Sequence, residues 1–204
     1  KNAGLKIIFN EKKESQTIMS AAYQSQTLSS TIPFTDTASV KNVIICWCVM
    51  LYFKIDIFII EQRMKTLLAV DMRLQMIKAI NDCAVINDSY SFDISSFSVA
   101  LDFLLQQQQQ AQKTVIISDI PSVQTSELYE QVTNMLHIKK IKRLITIGEQ
   151  WSTYQSILKN KIPVTEHYSS TASFIQHFSA NHFRNEVILL KCARVFGFER
   201  IVSL

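Results

Sequence analysis

Short apolar runs ending in polar residues punctuate the second two-thirds of this chain, and amphipathic stretches separate them. The runs Leu74–Ala79, Cys83–Asn87, Thr114–Ser118, Leu144–Ile147 and Val187–Leu190 have the length and residue types of strands. Helical spacing lies between the last four. Ile94, Phe97, Leu101, Leu104 and Leu105 share one face, Leu128, Val132, Met135 and Leu136 another, and Phe174, Ile175 and Phe178 a third. Asp93 and Thr125 stand where N-caps belong. Alternating strands and helices predict an α/β fold with a Rossmann-like, mostly parallel sheet covered on both sides. Leu74–Ala79 and Cys83–Asn87 are expected to pair as a hairpin turning through Asn81-Asp82.

The first third follows a different pattern. Gly4–Asn10 and Gln16–Tyr23 predict two strands joined by the charged turn Glu11-Lys12-Lys13-Glu14, and Ser25–Thr31 is polar. Val43–Ile60 is almost wholly apolar and about long enough to cross a bilayer. Lys54 and Asp56 interrupt it, which favours two helices, Ala38–Phe53 and Asp56–Thr66, with Asp56 capping the second. No membrane association is expected, and the start shows no signal-peptide pattern. Without an initiator methionine, the chain is expected to be a fragment.

Composition narrows this picture a little. The 204 residues are 48% hydrophobic, enough for a real core, and carry a formal charge of +4, compatible with anionic nucleotides but not in itself a sign of nucleic-acid binding. Lys139-Lys140-Ile141-Lys142-Arg143 reads as a helix end meeting its own dipole rather than a nucleic-acid patch. The run Gln106–Gln110 is expected to prolong the preceding helix into solvent. Cys46, Cys48, Cys83 and Cys192 lack disulfide or zinc spacing and read as buried, reduced thiols. His137, His167, His177 and His182 form no ligand pattern, so no metal site is expected from His or Cys.

Candidate chemistry gathers in two motifs. One is Ile86-Asn87-Asp88-Ser89-Tyr90; the other runs Leu190-Lys191-Cys192-Ala193-Arg194-Val195-Phe196-Gly197-Phe198-Glu199. Each leaves the end of a predicted parallel strand, where open α/β sheets bind ligands. Asp88, Tyr90, Lys191 and Arg194 therefore suit a charged, phosphate-bearing molecule.

These motifs resemble the C-terminal domain of the Mur ligases. In that family a strand ends in Asp-Ser-Tyr-Asn, and a later one in Lys-Gly-Ser/Ala-Arg followed by Phe and Glu. The match is closest to the members that add D-alanyl-D-alanine to UDP-N-acetylmuramoyl-tripeptide, in the form fused to an alanine racemase in Bacteroidetes-type bacteria. Pro33-Phe34-Thr35-Asp36, Asn42 and Met72-Arg73-Leu74 extend it upstream in family order. The resemblance implies that residues 1–71 are an incomplete central, ATPase-like domain and residues 72–204 the C-terminal domain. It implies a cytoplasmic ligase that uses ATP and Mg2+ to activate a carboxylate as an acyl phosphate. Its partners would be the peptide substrates, the missing N-terminal and central domains, and a fused racemase.

The resemblance also implies roles for individual residues. Asn42 matches an asparagine near the adenine, and Arg73 a hinge arginine that reaches the nucleotide. Asp88 matches an acidic residue contacting the nucleotide, with Tyr90 in the same loop. Lys191 and Arg194 match the motif that faces the substrates. No residue is assigned a catalytic role. The phosphate-cradling Gly-Lys-Ser/Thr loop is absent from these residues, so the chain alone is expected to be inactive. Three positions depart from the pattern. Ser91 replaces an asparagine, Cys192 a glycine whose loss predicts strain or blockage, and Ala38 a common histidine. The rival reading is a diverged, non-catalytic Rossmann-like module that binds a nucleotide or peptide.

Overall fold

The computed structural model describes residues 4–13, 15–68, 70–121, 125–179 and 181–204. The chain divides into two compact units, residues 1–69 and 70–204.

In the first unit, strands β1 (Leu5–Lys13), β2 (Gln16–Tyr23) and β3 (Gln26–Ile32) form an antiparallel sheet in that order. β1 runs through Glu11-Lys12-Lys13, so these residues are strand rather than turn; Glu14 lies outside the described residues. The polar stretch after Tyr23 is itself a strand, because its alternate positions Leu28, Ser30 and Ile32 are buried. The buried Ser30 hydroxyl donates to Met64 Sδ at 3.0 Å. Helices α1 (Thr37–Tyr52) and α2 (Ile57–Lys65) replace the single long apolar run. Asp36 caps α1 by accepting the Ser39 N–H at 2.7 Å, and Asp56 caps α2 through Phe58 and Ile59. Val40, Val43, Trp47 and Leu51 bury one face of α1 with Met19, Ala21, Ile60 and Met64. No described helix is long and apolar enough to cross a membrane.

The second unit is the expected α/β fold. Its elements are β4 (Gln75–Lys78), β5 (Ala84–Asp88), α3 (Ile94–Gln106), β6 (Gln112–Ser118), α4 (Ser126–Ile138), β7 (Arg143–Ile147), α5 (Gln155–Lys161), β8 (Val164–Tyr168), α6 (Thr171–His177), β9 (Glu186–Lys191) and the short α7 (Glu199–Val202). Strand order is β4-β5-β9-β6-β7-β8, with only β4 antiparallel to its neighbour. The β4–β5 turn places Asn81 and Asp82 at φ 54° and 56°, and the Cys83 N–H donates to the Ile80 carbonyl at 3.0 Å. Two consecutive left-handed residues give the turn hand that suits a twisted hairpin.

The sheet is covered on both faces. Helices α3, α4 and α5 pack Phe97, Leu101, Leu104, Tyr129, Val132 and Leu158 against Ile86, Val115, Ile117, Leu144, Val187 and Leu189. The opposite strand positions Ile116, Ile145, Ile147, Ile188 and Leu190 meet Phe174 of α6 and Phe198, with Ile201 and Val202 of α7 at the margin. Side chains of β9 thus alternate between two cores, which is why Val187–Leu190 is apolar without interruption.

The glutamine run does not prolong α3. The helix ends at Gln106, where the Gln107 N–H turns back to the Leu104 carbonyl; the Gln107 and Gln110 amides then donate to the Phe103 and Asp82 carbonyls at 2.9 and 2.8 Å. Thr125 occupies the N-cap position of α4 without a side-chain bond to it. α5 and the edge strand β8 are further elements that no regular spacing in the sequence marks. Cys46 and Cys48 are exposed on α1, whereas Cys83 and Cys192 are buried.

Candidate functional site

β5 and β9 lie side by side and parallel, in a register that sets Asp88 opposite Lys191. The segment leaving β5 continues to α3 on one face, and the segment leaving β9 leads to α7 on the other. They diverge at the carboxyl edge of the sheet, the place where such sheets accept ligands. Five of the six sequence-nominated residues meet at this edge: Arg73, Asp88, Tyr90, Lys191 and Arg194.

Lys191 is 1% exposed, and its ammonium lies 2.5 Å from Asp88 Oδ2. The other carboxylate oxygen accepts the Leu74 N–H at 3.3 Å. Both oxygens of Asp88 are therefore engaged within the protein. Arg73 stacks over Tyr90, its guanidinium carbon 4.5 Å from the ring centroid. The Arg194 N–H donates to the Tyr90 carbonyl at 3.2 Å, and the Arg194 side chain itself is exposed. The positive charges turned outward here are those of Arg73 and Arg194, while the Lys191 charge is turned inward. Asp93 caps α3 through Ser96. Burial works to raise its pKa, but the Ser96 bonds and the Lys191 charge outweigh it and hold the carboxyl below its ordinary value.

Cys192 does not strain or obstruct the loop. Its backbone is not left-handed, and its fully buried thiol donates to the Ser89 carbonyl at 3.5 Å. Burial pushes that thiol up to about 12. The left-handed residue of this loop is instead Gly197, at φ 63°. Asn42 belongs to the first unit, exposed in the second turn of α1; because Asp36 caps that helix, Asn42 is not its cap.

A second feature of the same sheet edge escaped the sequence reading. Asp119, just past β6, accepts the Gln150 and Trp151 N–H groups at 2.9 and 3.1 Å, and so caps a 3₁₀ turn over Gln150–Tyr154. Burial raises its pKa despite those bonds. Gly148 has φ 128°, and a Cβ there would meet the Asp119 carboxylate at 2.3 Å. Asp119, Gln150, Ser170, Thr171 and Arg200 line a cleft of about 510 Å³. Carboxylate, hydroxyls and guanidinium around one cleft can accept a ligand bearing both an amine and a carboxylate. The only sequence signal for it is that Asp119 and Gly148 each directly follow an apolar strand.

No protein-family model matches the sequence, and no curated protein matches it either. Solved structures do match in fold. Two crystal structures of MurF from Acinetobacter baumannii align with TM-scores of 0.83 and 0.75 at 16% and 14% identity, each covering 98% of this chain and 44% of the other. MurC from Thermotoga maritima aligns with a TM-score of 0.73 at 12% identity, covering all of this chain and 47% of that one. The fold is that of the Mur ligases. The chain spans less than half the length of these Mur ligase structures. Among the described residues, no group of three or more His, Cys, Asp or Glu is placed to hold a metal ion.

Proposed function

We propose that this chain is part of an ATP-dependent peptidoglycan-precursor ligase that adds D-alanyl-D-alanine to UDP-N-acetylmuramoyl-tripeptide through an acyl phosphate. The observation that carries this reading is the convergence of Arg73, Asp88, Tyr90, Lys191 and Arg194 at one carboxyl edge of a sheet with the Mur ligase fold. Residues that resemble a family motif by chance would have no reason to meet there. A fold relative described as MurF from T. maritima in complex with ADP supports the nucleotide, and one from A. baumannii described as a D-alanyl-D-alanyl ligase supports the dipeptide.

On this reading residues 1–71 belong to the central, ATPase-like domain and residues 72–204 to the C-terminal domain. Arg73 offers a permanently charged fork to phosphate oxygens, and Asn42 faces the adenine. Arg194 and the cleft beside Asp119 and Arg200 receive the amine-bearing dipeptide, whose opposite charges they complement. Bound magnesium would neutralise phosphate charge. The work takes place in the cytoplasm with the remaining domains of the ligase, and an alanine racemase fused to the same polypeptide is a further partner. Because these residues contain no Gly-Lys-Ser/Thr loop, the chain alone turns over no ATP.

The second reading, a diverged module that binds without turnover, draws on Ser91, which stands where the family pattern has an asparagine. Phosphate release by the product of the whole reading frame separates the two. Release that requires UDP-N-acetylmuramoyl-tripeptide and D-alanyl-D-alanine together supports the ligase. Binding of ADP without any release favours the module.

A further inference from the structure

Arg73 is held from two sides. Its neighbours Met72 and Leu74 have left-handed backbones, φ 60° and 49°. Unbranched and γ-branched residues adopt that conformation only when surrounding bonds impose it. Here the Met72 N–H donates to Gln75 Oε1 at 3.4 Å, the Arg73 N–H to the Val70 carbonyl at 3.1 Å, and the Leu74 N–H to Asp88 Oδ1 at 3.3 Å. Asp88 is in turn anchored by the buried Lys191. On the other side the Tyr90 ring lies under the guanidinium, and the Tyr90 carbonyl is tied to Arg194.

We propose that Asp88 and Tyr90 are positioning residues for Arg73: Tyr90 carries its guanidinium, and Asp88, anchored by Lys191, holds the strained turn that delivers it. Stacking uses the flat face of a guanidinium and leaves its in-plane N–H groups for oxygen acceptors. Asp88 and Lys191 neutralise each other, which leaves Arg73, beside Arg194, with its charge turned outward, and Arg73 is the one this brace holds toward a polyphosphate. The functional meaning rests on the nucleotide-ligase reading; the brace itself does not.

The test uses the 204-residue chain with isotope-labelled arginine. The Tyr90 ring current should displace the Arg73 side-chain proton resonances upfield. Tyr90→Phe should keep that displacement and Tyr90→Leu should abolish it; Tyr90 is 43% exposed, so its replacement opens no core. Removing the anchor with Asp88→Leu and Lys191→Met together should also abolish it while leaving Tyr90 in place. A displacement absent from the wild type, or one that survives either Tyr90→Leu or the double change, overturns the proposal. Should the double variant fail to fold, the Tyr90 pair still decides.

Titration with inorganic tripolyphosphate separates this from the functional reading. Loss of binding in Arg73→Ala, matched by Tyr90→Leu but not Tyr90→Phe, is the expected result. If Arg73→Ala binds normally while the ring-current pattern holds, the nucleotide reading fails and the brace stands. If Arg73→Ala weakens binding and Tyr90→Leu does not, the positioning proposal is overturned.

Discussion

The ammonium of Lys191 lies 2.5 Å from the carboxylate of Asp88, and both residues are buried at the ends of adjacent parallel strands. A buried pair of this kind is weak evidence for net stability, but breaking it strands a charge in low dielectric. Lys191→Ala is therefore expected to lower unfolding free energy by about 3–5 kcal/mol, and Asp88→Ala by a similar amount. Replacing both with apolar residues of similar size should come out close to the wild type. Urea denaturation of the single and double variants measures this directly; a mild Lys191→Ala would mean that water reaches the pair.

The Gly148–Asp119 approach makes a second prediction. Alanine at 148 must take up φ 128° and drive its Cβ into a carboxylate that two backbone N–H groups hold in place. Gly148→Ala should cost about 1–3 kcal/mol from backbone strain, with the steric clash adding to it. Combining it with Asp119→Ala should remove the clash but not the strain, so thermal unfolding should show partial rescue rather than additive loss.

His167 supplies a pH dependence. Its pKa lies below the ordinary histidine value because burial penalises the imidazolium, although the Asp119 charge and the Thr146 contact work the other way. The folded state then binds fewer protons than the unfolded one between the two pKa values. Stability from this group is present above pH of about 6.5 and is lost as pH falls from there through the folded pKa. His167→Gln should flatten that part of the stability–pH curve. A variant with the same slope as wild type would show that His167 does not titrate differently on folding.

The cysteines should separate into two classes. Cys46 and Cys48 are exposed, whereas Cys83 and Cys192 are buried and the Cys192 thiol is pushed up to about 12. Iodoacetamide at pH of about 8 should modify the first pair in the folded chain and reach the second only after denaturant is added. Peptide mass mapping reads the outcome, and early labelling of Cys192 would show that the β9 loop opens to solvent.

Periodicity in the sequence determined most of the α/β unit. The runs at β5, β6, β7 and β9 are apolar because both faces of those strands are buried, and the Asn81-Asp82 turn is legible because those residues tolerate left-handed backbone. Local pattern failed where burial and polarity part company. β3 hides a buried Ser30, and the edge strand β8 is half-buried along most of its length, so neither shows a clear alternation. The motif residues Arg73, Asp88, Tyr90, Lys191 and Arg194 could be nominated from the sequence, but which of their charges face outward could not. That depends on β9, the last strand in the chain, inserting between β5 and β6, with Asp88 and Lys191 in register. Two residues 103 positions apart become a neutralised pair only through that insertion. Strand order arises from the competition of whole helices and strands for two faces of one sheet, so it has no local signature that a motif could carry.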